Sequence, residues 1–102
     1  MKADKVLSLA GLAARAGKAD SGEFSVEKAI KTGKTFLVIV AGDASFNTEK
    51  KFRNSCAYYG VEFRKYSDKD ALGHAIGKQE RAVIAVNDEG LAKAILAVLD
   101  RN

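Results

Sequence analysis

Two apolar runs, Thr35-Phe36-Leu37-Val38-Ile39-Val40-Ala41 and Arg81-Ala82-Val83-Ile84-Ala85-Val86, set the frame into which this chain has to fold. Neither alternates polar with apolar residues and both are rich in β-branched side chains, so each predicts a strand covered on both faces. A sheet buried on both faces needs helices above and below it. The remaining segments supply them.

Asp4 is placed to cap a first helix in which Val6, Leu9, Ala10 and Ala13 fall on one face, with Gly17 as the stop. Lys18 to Asp20 reads as a short extended link, long enough for a brief edge strand. Ser21 then serves as the N-cap of a helix running to Gly33, whose Val26, Ala29, Ile30 and Gly33 point inward. After the first central strand, Gly42 to Ser45 makes a turn, and a helix from Asn47 or Thr48 to Tyr59 buries Phe52, Ser55, Cys56 and Tyr59, ending at Gly60. Val61 to Tyr66 alternates, as a half-exposed outer strand does. Ser67 with Asp70 resembles a capping box opening a short helix whose core side is Leu72, Ala75 and Ile76, closed by Gly77. Asn87 caps the last helix, with Leu91, Ile95, Val98 and Leu99 as its buried stripe. Strands alternating with helices predict an α/β protein, a three-layer α/β/α sandwich on a mixed four-stranded sheet. One domain is expected over residues 1–102.

Length and composition narrow the chemistry. With 102 residues and 47% apolar content, the chain has material for one sizeable core. Its apolar runs fall well short of the roughly 18 residues of a membrane span, and Met1 to Arg15 lacks the apolar centre of a signal peptide. A cytoplasmic protein with no membrane association is expected. One cysteine, Cys56, and one histidine, His74, leave no disulfide and no zinc-ligand spacing. Cys56 lies on the predicted core stripe of its helix, His74 falls off the apolar stripe without a neighbour to make it a base, and Asp43 fits a turn or cap. Gly11 to Gly17 lacks the Lys-Ser/Thr of a phosphate loop and follows no strand. The expectation is therefore no catalytic residue, no metal, no cofactor and no small-molecule substrate. A net charge of +4 and a pI near 9.3 favour an acidic partner such as nucleic acid.

The helix opened by Ser21-Gly22-Glu23 carries the most informative exposed face. Phe24, Ser25, Lys28 and Lys31 point away from its apolar stripe. A helix start offers free backbone N–H groups and the positive end of a dipole, so lysines beside it suit a phosphate chain. The plainer reading is a solvated charged face with Glu27 and Lys31 paired at i,i+4.

The matching residues Leu9 to Arg15, Ser21-Gly22-Glu23 with Lys28, Leu37 to Val40, Asp43-Ala44-Ser45 with Asn47-Thr48, Cys56 to Tyr59, Leu72-Gly73 with Ile76-Gly77-Lys78, and Val83 to Val86 run almost end to end. On them the chain resembles the ribosomal protein L7Ae family of kink-turn RNA binders, and within it the bacterial YlxQ-type members. The Leu-Gly and Ile-Gly spacing and the glycine-to-lysine helix are the more specific parts. In that family the helix carries a Gly-x-Asn-Glu-x-x-Lys pattern set against kinked RNA, in which the Glu accepts hydrogen bonds from guanine edges, the Asn supports this readout and the Lys contacts RNA near the kink. Gly22 and Lys28 match, but Phe24 stands in the Asn position and Ser25 in the Glu position. Glu23 cannot stand in, because one step along a helix turns a side chain by about 100°. The family's second contact loop presents small apolar residues to splayed bases. Here it is the charged Gly77-Lys78-Gln79-Glu80-Arg81.

The resemblance implies a non-enzymatic RNA-binding protein acting on structured, ribosomal RNA, with a monomer favoured. The RNA-facing set is Gly22, Phe24, Ser25, Lys28, Lys31, Lys34, Lys78 and Arg81, rimmed by Arg15 and Lys18. Phosphate contacts are kept and base-reading contacts are missing, which separates positioning from specificity. Ser25 is left to make one hydrogen bond. Phe24 has two readings, stacking on an unpaired base or packing against the first helix and capping turn. The rival to RNA binding is a protein-interaction module on the same fold that has lost kink-turn recognition.

Overall fold

The computed structural model describes residues 4–101. Five helices and four strands alternate as α1 (Lys5–Arg15), β1 (Ala19–Ser21), α2 (Glu23–Lys31), β2 (Leu37–Val40), α3 (Phe46–Tyr59), β3 (Glu62–Lys65), α4 (Lys69–Ala75), β4 (Val83–Val86) and α5 (Glu89–Leu99). The strands lie in the order β1-β4-β2-β3. Strand β4 is antiparallel to both β1 and β2, whereas β2 and β3 are parallel and joined through α3. The sheet is therefore mixed, as expected.

Every residue of β2 and β4 is buried, which is the physical meaning of their unbroken apolar pattern. Side chains on a strand alternate between faces, so the two strands serve two cores. Leu37, Ile39, Ile84 and Val86 pack with Val6, Ala10 and Ala13 of α1, Leu72 of α4 and Ile95 of α5. Val38, Val40, Val83 and Ala85 pack on the opposite face with Val26 and Ile30 of α2 and Phe52 and Cys56 of α3. The three layers are thus α1, α4 and α5, then the sheet, then α2 and α3.

Helix caps depart from the sequence reading by one residue in three places. Helix α2 opens on Gly22 at φ 88°, a left-handed conformation that glycine adopts without steric cost, and not on Ser21. Ser21 ends β1, and its hydroxyl accepts from Arg81 Nε at 3.0 Å. Helix α4 is capped by Asp68 rather than Ser67, because Ser67 sits at φ 63° with its carbonyl accepting from Gly42 N at 2.7 Å. Helix α5 is capped by Asp88 rather than Asn87, whose amide reaches across to Asp20 Oδ2 at 2.9 Å. Two inward assignments also change. Tyr59 is 44% exposed at the end of α3, where Thr48 instead joins Phe52 and Cys56 as a buried residue, and Gly33 is exposed beyond the last turn of α2. Asp4 caps α1 as expected through Leu7 N at 3.0 Å, and its other oxygen accepts from Tyr66 Oη at 2.7 Å.

Gly73 explains the Leu-Gly motif. A Cβ added there would lie 1.9 Å from the Gln79 carbonyl oxygen, so α4 and the loop after it touch backbone to backbone. That contact fixes the 77–81 loop beside the start of α2.

Candidate nucleic-acid interface

The start of α2 is held from below. Gly22 N donates to Val83 O at 3.1 Å, which ties the first turn to the start of β4, and the bond from Arg81 to Ser21 ties the 77–81 loop to the same point. The fold therefore brings Gly22 and Arg81 together. Arg81 also donates to the carbonyls of Gln79 and Glu80, so its guanidinium is spent on shaping its own loop. Gly22 provides no side-chain cap, and among the described residues none accepts from the amides of Glu23, Phe24 or Ser25. These donors and the helix dipole face outward together.

Around this start the predicted side chains separate by role. Phe24 is 83% exposed, which removes its reading as a residue packed on α1 or on the capping turn. Ser25 is half-buried and lines a hollow of about 220 Å3 with Asp20, Phe24, Lys28 and Lys34. Lys28 is exposed and has no carboxylate at ion-pair distance among the described residues. Lys31 Nζ lies 3.6 Å from Glu27, and Lys34 Nζ lies 3.1 Å from Asp20. Such exposed pairs are worth about 1 kcal/mol or less, so an incoming phosphate can compete for both lysines. Lys78 lies further off, across a hollow of about 520 Å3 that it shares with Arg15, His74 and Ser21.

Glu23 is turned away from this face. Its Oε2 accepts from Thr48 Oγ1 at 3.1 Å and its Oε1 lies 3.6 Å from Lys51 Nζ, so it binds α2 to α3. Lys51 itself was not among the residues expected at the site. It closes a hollow of about 440 Å3 with Phe24, Glu27, Lys28, Lys31 and Thr32. The spacing Thr48, Lys51, Ser55 on one side of α3 carried the signal, but only the packing of α3 beside α2 gives it meaning.

The reactive side chains are placed for other work. Cys56 is buried, and burial, reinforced by the charge of Glu27, pushes its thiol up to about 12, so at neutral pH it is a protonated packing group. His74 is exposed on the rim of the 520 Å3 hollow. Asp43 accepts from Lys69 N at 2.9 Å and so closes the turn before α4. Among the described residues no group of three or more His, Cys, Asp or Glu is arranged to hold a metal. Cys56→Ala and His74→Gln are each expected to leave RNA titrations within about twofold of the parent. Cys56→Ala should cost a modest ~1 kcal/mol of stability, since a buried sulfur is removed. Loss of function in either folded variant would reopen a catalytic role.

A glycine-started helix with Lys28 one turn on thus lies beside a second loop fixed by the Leu72-Gly73 pair. The family model described as ribosomal protein L7Ae/L30e/S12e/Gadd45 matches residues 4–96. The chain belongs to this family. A curated relative, RNA-binding protein YlxQ of Bacillus subtilis (strain 168), is 45% identical over 92 residues, covering 90% of this chain and 92% of that protein. A solved structure of a protein with unknown function from Bacillus halodurans C is 42% identical and superposes with a TM-score of 0.91, covering 95% of this chain and 98% of the other. The 15.5kD RNA binding protein of Giardia lamblia, at 21% identity, shares the fold with a TM-score of 0.82, covering 98% of this chain and 92% of its own. Phe24 and Ser25 occupy the second and third positions of α2. No helix among the described residues is long and apolar enough to cross a membrane.

Proposed function

We propose that this chain is a non-enzymatic RNA-binding protein, a single L7Ae-like domain over residues 1–102 that holds structured, ribosomal RNA by its phosphates and reads little base sequence. The observation that carries the reading is the exposed start of α2. Three amides and a Lys28 ammonium that have no partner among the described residues lie within two turns of a solvent-facing Phe24, in a chain whose curated relative is called an RNA-binding protein. Lys31 and Lys34 add charge through exchangeable pairs, and Lys78 extends it along the neighbouring loop. Ser25 contributes one hydrogen bond where the family pattern has a carboxylate, and Phe24 offers a ring for stacking. Phosphate contacts fix position, whereas base-edge contacts carry sequence, so kink-turn preference is small.

Salt dependence tests this directly. Each phosphate neutralised by the protein releases condensed counterions and adds nearly one unit to the slope of log affinity against log salt. Lys28→Ala is therefore expected to reduce the magnitude of that slope by up to about one unit for a kink-turn and for a matched duplex alike. Titrations of both RNAs at two salt concentrations check it. An unchanged slope would remove Lys28 from the interface, and a parent that binds neither RNA at low salt would give the fold to a protein partner.

A further inference from the structure

Helices α2 and α3 lie side by side and run in the same general direction, since Glu23 meets Thr48 at 3.1 Å and, one turn on in α2 and two turns on in α3, Glu27 meets Ser55 at 2.9 Å. Between their exposed sides runs the cleft of about 440 Å3 bordered by Phe24, Lys28 and Lys31 on one side and Lys51 on the other. The α3 side continues as Asn47, Lys51, Asn54 and Tyr58, all exposed and spaced at helical intervals. Tyr58 is 82% exposed at the far end, and its ring is held edge-on by Tyr59 with centroids 4.8 Å apart. The ring is open to solvent and accessible to a ligand.

The charges say what such a cleft takes. Glu27 lines the cleft and Glu23 lies beside it, where the hydroxyls of Ser55 and Thr48 engage them and Lys31 and Lys51 partly neutralise them. Lys28 and, on the outer side of α3, Lys50 carry no ion pair among the described residues. Phe24 and three lysines, Lys28, Lys31 and Lys51, thus border the cleft, and the exposed Tyr58 ring lies beyond it along α3. Single-stranded nucleic acid is held by this combination, a basic track for the backbone and rings on which bases stack.

We propose that the cleft between α2 and α3 seats an unpaired RNA strand, with Phe24 and Tyr58 each stacking on a base and Lys28, Lys31 and Lys51 holding the phosphates between them. Eleven residues separate Asn47 from Tyr58, a rise of roughly 16 Å along the helix. That is room along α3 for a few nucleotides of an unpaired strand. The inference rests on the RNA-binding function proposed above and extends its footprint from the start of α2 along a second helix.

Two probes separate the two claims: a 12-nucleotide oligouridylate, which is unpaired throughout, and a blunt-ended kink-turn hairpin. Loss of one stacked base corresponds to about 5- to 150-fold in affinity. Tyr58→Ala is expected to weaken the 12-mer within that range, to leave the hairpin unchanged and to melt with the parent, while Tyr58→Phe keeps parental affinity for both. A 4-thiouridine version of the 12-mer should crosslink to the tryptic peptide 54–64, which contains Tyr58. Unchanged 12-mer affinity in Tyr58→Ala overturns the inference and leaves this face to a protein partner. A parent that binds the hairpin and ignores the 12-mer overturns it while the RNA-binding function stands. A parent that binds neither at low salt removes both.

Discussion

Leu37→Asp or Ile84→Asp is expected to leave the chain unfolded at pH 7 and 25 °C. Both residues are fully buried in adjacent antiparallel strands, and both project into the core shared with α1, α4 and α5. The substitution removes a large aliphatic group, which alone costs about 2 to 5 kcal/mol in cores that cannot collapse around the gap. It also places a carboxylate in an apolar cluster where the hydroxyl of Tyr66, at its edge, already donates to Asp4. An unpaired buried polar group adds several kcal/mol more, so the sum is comparable with the roughly 5 to 15 kcal/mol that holds a domain together. Circular dichroism should show no cooperative melt in either variant. Ala57→Asp, on the exposed side of α3, introduces the same charge and should melt within a few degrees of the parent. A cooperative transition near the parental temperature in Leu37→Asp would contradict the placement of β2 at the centre of the sheet.

The central strands were legible because burial on both faces leaves a pattern that nothing else in so short a segment produces. The same holds for the inward stripes of α1 and α2, where Val6, Ala10 and Ala13, and Val26, Ala29 and Ile30, are all buried. Caps were less legible for a definite reason. At Ser67-Asp68 and Asn87-Asp88 two adjacent residues are equally able to cap, and the choice is made by bonds to distant segments, from Gly42 to the Ser67 carbonyl and from Asn87 to Asp20. Ser21 is drawn from its capping role in the same way, by Arg81 sixty residues on. At the site, single-helix periodicity placed Phe24, Ser25, Lys28 and Lys31 on one exposed face. It had no means of showing that Glu23 is consumed by Thr48 or that Lys51 of α3 faces Lys28, because both depend on how two helices pack.

Phe24→Asn combined with Ser25→Glu is expected to raise the preference for a kink-turn over a matched duplex by a few kcal/mol. Each well-formed bidentate base contact is worth about 1 to 3 kcal/mol of discrimination, and the L7Ae pattern lacks both of its base-reading residues here. The backbone is suited to receive them. Positions 24 and 25 lie on the first turn of α2, whose opening glycine is fixed to β4 by Gly22 N to Val83 O at 3.1 Å, so the introduced groups would project from a rigid turn. Lys28, three residues on from position 25 and without an ion pair among the described residues, is placed to steady the new carboxylate. Two features limit the gain. The 77–81 loop is charged, with Arg81 committed to Ser21 and to its own carbonyls, so it offers splayed bases no apolar surface. The swap also removes the Phe24 ring, and unpaired strands should bind the double variant more weakly than the parent. Titrating parent, double variant and Lys28→Ala against the two RNAs at two salt concentrations resolves these effects, since a readout gain appears in the kink-turn alone while removal of a phosphate-binding lysine weakens both. Strong kink-turn selectivity in the parent would mean that Ser25 already reads a base edge, because Glu23, held by Thr48 at 3.1 Å, is turned towards α3.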